Sequence, residues 1–225
     1  MNMPSLDLSA VTEEKWGRRR LLGSLLALGF MQLLPSPLKA QGAKRLLILG
    51  DSLAAGYGLP TNKGFVVRLE AALKAAGEDV TVLNGGVSGD TSAGARDRLD
   101  WALADQPTHV IVEIGANDGL RGLEPKQMEA NIDQILTKLK AAKLPTLLAG
   151  MLAPPNLGKD YAAAFNSAFP RLAEKHAVPL YPFFLDGVAA ERSLNQPDGI
   201  HPNEAGVEEV VRRILPAVRQ LLSQG

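Results

Sequence analysis

The stretch Arg45-Leu46-Leu47-Ile48-Leu49-Gly50-Asp51-Ser52-Leu53 joins a short apolar run to an abrupt polar loop. Arg45 to Leu49 reads as a first strand, with Asp51 and Ser52 just past its carboxyl end. Beyond it, β-like runs alternate with helical ones. Thr61 to Ala76 carries apolar residues at helical spacing, Val80 to Leu83 is a second strand, and Ser92 to Ala104 a second helix. Val110 to Ile114 is uninterrupted and rich in β-branched residues, as a strand buried on both faces should be. Pro125 opens a helix to Ala142, at a position where its missing N–H costs nothing. Thr146 to Gly150, Ala162 to His176 and Val178 to Tyr181 continue as strand, helix and strand. Asn203 to Leu222 forms the last helix, with a bend expected at Pro216. Five strands separated by helices imply an α/β fold, a parallel sheet covered on both sides. There is no internal repeat, low-complexity tract or interdomain linker.

A length of 225 residues with 46% apolar content suits one domain. A formal net charge of zero gives no support for nucleic-acid binding through a basic surface. With no cysteine, the chain has no disulfide framework, thiolate nucleophile or cysteine-based metal site. The first forty residues differ from the rest. Arg18-Arg19-Arg20 precedes Leu21 to Leu34, fourteen residues without a charge, followed by Pro35, Pro37 and a small residue, Ala40, before Gln41. This is the pattern of a secretory signal, and the run is short against the roughly 20 residues of a bilayer-spanning helix. The paired arginines point to twin-arginine export into a bacterial periplasm, although Gly17 stands where Ser or Thr is usual and Leu21 where Phe is common. Residues 1–40 are therefore expected to be a signal peptide cut near Ala40, with 41–225 as the folded domain. An uncleaved anchor or a disordered leader is the alternative.

Open parallel sheets bind ligands beyond the carboxyl ends of their strands, where the strand order reverses. In a flavodoxin-like order of 2-1-3-4-5 that crevice lies between strands 1 and 3. It would receive Asp51-Ser52 from one loop and Asn117-Asp118 from the other. His109 and His176 precede strands 3 and 5 and fall at the opposite edge, which leaves His201 as the only histidine at the carboxyl edge. A serine hydroxyl needs a base to take its proton, and imidazole suits that role near neutral pH. The imidazole needs an acid to fix its tautomer, and Asp198 lies three residues before it. Read separately, Asp198-Gly199 is a turn and His201-Pro202 a helix flank. Read with Ser52, they are the parts of a Ser-His-Asp hydrolase.

Gly50-Asp51-Ser52-Leu53 resembles the GDSL signature of the SGNH hydrolases. Val87-Ser88-Gly89-Asp90-Thr91, Gly115-Ala116-Asn117-Asp118 and Asp198-Gly199-Ile200-His201 resemble that family's other three blocks, with Ala116 at a position that is often Gly or Thr. Asn117 to Gly122 and Asp198 to Asn203 look like the bacterial thioesterase I / lysophospholipase L1 / arylesterase branch. The resemblance runs from about Lys44 to Leu222 and implies the SGNH hydrolase fold, a three-layer α/β/α sandwich. It assigns Ser52 as nucleophile, His201 as base and Asp198 as its orienter. It also assigns an oxyanion hole made by the N–H groups of Ser52 and Gly89 and the amide of Asn117. Gly89-Asp90 could instead be only a turn, and Asn117 only a helix cap. Asp51 is expected to order the loop and take no part in the chemistry.

The resemblance implies hydrolysis of carboxylic esters, thioesters and lysophospholipids through a covalent acyl-enzyme, with no metal or organic cofactor. The expected partners are small acyl substrates, with no nucleic acid and no membrane span in the mature chain, working as a monomer or weak homo-oligomer. Leu120, Leu152, Ala153 and Pro154 are candidates to line an acyl pocket, unless they are only core or loop packing. Ala153 to Gly158 would form a lip over it. A carbohydrate acetylesterase on the same fold would want aromatic sugar-stacking residues, against which stand an aromatic content of 5% and a Trp101 expected on a helix away from the site. A catalytically silent acyl-lipid-binding module is the alternative from another class. Keeping every catalytic residue type argues against it.

Overall fold

The computed structural model describes residues 43–224, so the expected signal segment 1–40 and its cut lie outside the described residues. Within them, five strands form one sheet in the order β2-β1-β3-β4-β5. They are β1 (Lys44–Gly50), β2 (Val80–Gly86), β3 (His109–Glu113), β4 (Thr146–Ala149) and β5 (Leu180–Tyr181). Every pairing is parallel. β1 lies between β2 and β3, and Leu46 to Leu49 are almost completely buried. A central parallel strand is covered on both faces, which is why its apolar run does not alternate. Gly50, the last residue of β1, pairs with Gly86 on one side and Glu113 on the other.

The helices are α1 (Ser52–Ala55), α2 (Phe65–Ala75), α3 (Ser92–Asp97), α4 (Leu99–Leu103), α5 (Ala116–Leu120), α6 (Pro125–Ala141), α7 (Lys159–His176) and α8 (Glu204–Leu222). α2 packs on α8, and α6 packs on α7 and α3. Together they supply much of a single core that includes Leu69, Ile132, Phe165 and Ile214. Each such side chain, fully buried, contributes roughly 1.5–3 kcal/mol of transfer free energy. No helix among the described residues is long and apolar enough to cross a membrane.

Several boundaries differ from the sequence reading for identifiable reasons. α2 begins at Phe65, because Thr61 to Gly64 are taken up in a turn that Lys63 N closes onto Pro60 O at 2.8 Å. β5 shrinks to two residues, since Pro179 has no N–H for the sheet and contributes only its carbonyl, to Leu148 N. β3 is shifted by one residue, so that it starts on His109 and ends on Glu113. The helix expected over Ser92 to Ala104 is two helices, α3 and α4, meeting at Arg98 with φ −96° and ψ 5°. α8 continues through Pro216. The short helices α1 and α5 were not expected, and both begin at polar loops on the carboxyl edge of the sheet.

Candidate active site

At the end of β1 the buried Asp51 caps α1, its Oδ1 accepting from Leu53 N at 3.1 Å. Its other oxygen accepts from Asn117 Nδ2 at 3.1 Å, so the loop after β1 is tied to the loop after β3. Ser52 therefore sits on the first residue of a helix, where its N–H has no intrahelical acceptor. Its hydroxyl lies 2.9 Å from His201 Nε2.

His201 is presented by a loop closed on itself. An antiparallel bridge joins Asn195 to Pro202, and Gln196 N donates to His201 O at 2.7 Å. Gln196 Nε2 also donates to Tyr57 O at 2.8 Å and Pro202 O at 3.0 Å, fastening this loop to the one that follows Ser52. Asn203, immediately after, caps α8 by accepting from Gly206 N at 3.0 Å. Asp198 Oδ2 stands 2.7 Å from His201 Nδ1, and its Oδ1 accepts from the N–H groups of Ile200 and His201, each at 3.0 Å. Partial burial works against ionising Asp198, but these N–H groups and the imidazole outweigh it and hold the carboxyl below the usual range. An ionised Asp198 only accepts, so Nδ1 carries the proton and Nε2 is left to accept from the Ser52 hydroxyl.

Gly89 follows β2 with φ +80°, a left-handed conformation natural to glycine. Its carbonyl accepts from Arg121 Nη2 at 2.6 Å. Asn117 is the second residue of α5, and the cap of that helix is Gly115 at φ 118°, so Asn117 does not act as a cap. A Cβ on Gly115 would press on Met128 Sδ at 3.1 Å and Phe169 Cζ at 3.2 Å, which accounts for glycine there. With one amide hydrogen spent on Asp51, Asn117 keeps the other for a ligand. The neighbouring Asp118 points inward and accepts from Ser92 N at 2.8 Å and Ser92 Oγ at 2.6 Å, locking α5 to the start of α3.

Ser52, Gly89, Asn117 and His201 open onto one cleft of about 610 Å³. Leu120, Leu152, Ala153 and Pro154 stand on its wall, as do Tyr57, Met151, Phe183, Leu185 and Ile200, which the sequence reading did not single out. Tyr57 packs its ring 4.6 Å from that of His201. Nothing local in Gly56-Tyr57-Gly58 signals this, whereas Phe183 and Leu185, just past β5, could have been found by the rule of strand ends. The lip is a single 3₁₀ turn, Pro155–Leu157, held at its base by Ala153 N donating to Asn166 Oδ1 at 2.8 Å. Trp101, on α4 and 70% exposed, does not line the cleft. His109 and His176 are satisfied elsewhere, by Gln224 O at 2.8 Å and Asp133 at 2.6 Å.

Two buried acids lie beneath the loop. Burial raises Asp51 to about 6, against the pull of Leu53 N–H, the Asn117 amide and His201. Glu113 is wholly buried with no well-formed hydrogen bond to either oxygen, and burial with the adjacent Asp51 charge raises it well above the carboxylate range, against a weaker pull from the Asp51 and Ala54 N–H groups.

Residues 48–208 match the model of the GDSL-like lipase/acylhydrolase family. The chain belongs to that family. It is 40% identical over 181 residues to the esterase TesA of Pseudomonas aeruginosa, covering 80% of this chain and 90% of that one. It is 41% identical over 177 residues to thioesterase 1/protease 1/lysophospholipase L1 of Escherichia coli K12, covering 78% of this chain and 84% of that one. Among solved structures it is similar to the psychrotrophic esterase EstA from a Pseudoalteromonas species, with TM-score 0.76 and 37% identity over 80% of this chain and 100% of that one. The chain is thus a hydrolase of the GDSL-like family with the expected flavodoxin-like α/β/α fold, and all four of its sequence blocks fall inside the matched span.

Proposed function

We propose that the chain hydrolyses carboxylic esters and thioesters in two acyl-transfer steps, with Ser52, His201 and Asp198 as the triad. The observation that carries this reading is the pair of contacts on one imidazole, 2.9 Å to Ser52 Oγ and 2.7 Å to Asp198 Oδ2. His201 Nε2 takes the Ser52 proton as Oγ bonds to the acyl carbon. The carbonyl oxygen becomes an oxyanion held by Ser52 N–H, Gly89 N–H and Asn117 Nδ2. Collapse breaks the ester or thioester bond, and His201 returns the proton to the departing alcohol or thiol. Water then attacks the acyl-enzyme, giving its proton to His201, and the acid leaves as Ser52 recovers its own.

The apolar cleft wall favours an acyl chain over a sugar, and the relatives named as an esterase and as a thioesterase/lysophospholipase support acyl esters, thioesters and lysophospholipids as the substrate class. The Arg18 to Arg20 cluster and the uncharged run after it support twin-arginine export to the periplasm, with cleavage near Ala40.

Ser52→Ala and His201→Ala should each lower turnover of p-nitrophenyl esters by at least about 10⁴-fold without unfolding the protein. Near-parental turnover by folded Ser52→Ala would refute the assignment. A panel of acyl-CoA thioesters, lysophospholipids and acetylated sugars ranks the substrates.

A further inference from the structure

The break between α3 and α4 falls on Arg98, and it turns that side chain back under the site. Arg98 Nε donates to Asp90 Oδ2 at 2.7 Å and Nη2 donates to Gly50 O at 2.8 Å. Both side chains of the ion pair are largely buried, Arg98 at 17% and Asp90 at 12% exposure. Gly50 precedes the Asp51-Ser52 loop by one residue, and Asp90 follows Gly89 directly. One rigid guanidinium therefore spans the two backbone segments whose N–H groups, at Ser52 and Gly89, are read above as oxyanion donors.

We propose that Arg98 is a positioning residue that fixes the separation and direction of those two N–H groups. This rests on the oxyanion-hole reading above. The planar fork is what the task needs, because two donors held in one plane set two acceptors at a fixed distance, which a lysine ammonium cannot do. Asp90 is locked in turn, its Oδ1 accepting from Thr91 N at 3.1 Å and lying against Gly94, where a Cβ would not fit. The third nitrogen, Nη1, is buried without a partner. Stability alone does not require that cost, since a well-packed apolar side chain could fill the space. Arg121 Nη2 donates to the Gly89 carbonyl at 2.6 Å, so the residue that carries the donor N–H is also tied through its own carbonyl.

The test compares kcat and KM for a short p-nitrophenyl ester in the full chain, Arg98→Lys, Arg98→Ala and Ser52→Ala, each normalised to folded protein by circular dichroism and thermal melting. A displaced donor affects the transition state more than the bound ester, so Arg98→Lys should lose roughly 10- to 100-fold in kcat with KM changed by no more than about twofold. Guanidinium ion at low, non-denaturing concentration should restore part of the kcat of Arg98→Ala and none of that of Ser52→Ala. If Arg98→Ala does not fold, the comparison rests on Arg98→Lys. Parental kcat in folded Arg98→Lys overturns the proposal. So does a loss explained wholly by unfolded protein, or by KM. An active Ser52→Ala would instead remove the triad reading on which the proposal stands, so the two failures are distinguishable.

Discussion

Replacing Asp51 by asparagine keeps the shape of the capping side chain and removes a buried charge. Burial lifts this carboxyl from 3.8 to about 6, roughly two units at about 1.4 kcal/mol each, so its ionisation costs about 3 kcal/mol of folding free energy above pH 7. An acid with a raised pKa binds its proton more tightly in the folded state. Its contribution is complete below about pH 4 and is lost as pH rises to about 6. Asparagine forfeits one contact: with its Oδ1 facing Leu53 N, its NH₂ meets the donating Asn117 Nδ2, a loss of about 1–2 kcal/mol. The net expectation is a variant more stable than the parent by about 1–2 kcal/mol at pH 8 and less stable at pH 4. Urea unfolding from pH 4 to 8 measures this, with the difference between the two curves changing most between pH 4 and 6. A pH-independent difference would refute the argument, because the buried charge would then not be the term that matters. Turnover should fall in the same variant, since Asn117 loses its tether.

Glu113→Gln should become increasingly more stable than the parent as pH rises above the usual glutamate range, because the parent must ionise or keep protonated a buried acid with no well-formed hydrogen bond; equal pH curves for the two proteins would contradict this. Asn117→Ala removes one oxyanion donor and should lower kcat by about 10²–10³-fold, while loss of its bond to the buried Asp51 should cost about 1–2 kcal/mol of stability and lower the melting temperature. Parental turnover there would make Asn117 only the tether of Asp51. Gly89→Ala meets no steric obstacle, the nearest atom being 3.6 Å away, so its effect comes from φ +80° alone. The strain is about 1–2 kcal/mol, and kcat should drop as the N–H turns away, seen in paired melting and steady-state measurements.

The shared carboxyl edge of Ser52 and His201 was legible because it follows from strand direction, whereas the order 2-1-3-4-5 came only with the flavodoxin-like fold. An uncharged run such as Leu46 to Leu49 cannot be solvated on either face, and parallel strands send their loops to one edge. What escaped the sequence depends on contacts between distant residues. Periodicity over Ser92 to Ala104 runs unbroken, yet the helix stops where Arg98 finds Gly50 and Asp90, 48 and 8 residues away. Glu113 stood inside the strand read as Val110 to Ile114, but its burial beside Asp51 comes from the register of β3 against β1, where it pairs with Gly50. The cleft wall was half visible: Leu120 to Pro154 adjoin recognisable loops, whereas Tyr57 reaches His201 only because Gln196 ties their two loops together.

We propose that the Ser52 hydroxyl, deprotonated by His201, becomes covalently bonded during turnover. Incubation with a fluorophosphonate followed by peptide mass mapping tests it directly. We expect one adduct on the peptide carrying Ser52, formed at a rate that collapses in His201→Ala. An unlabelled Ser52 in active protein, or labelling equally fast without the imidazole, would contradict the account.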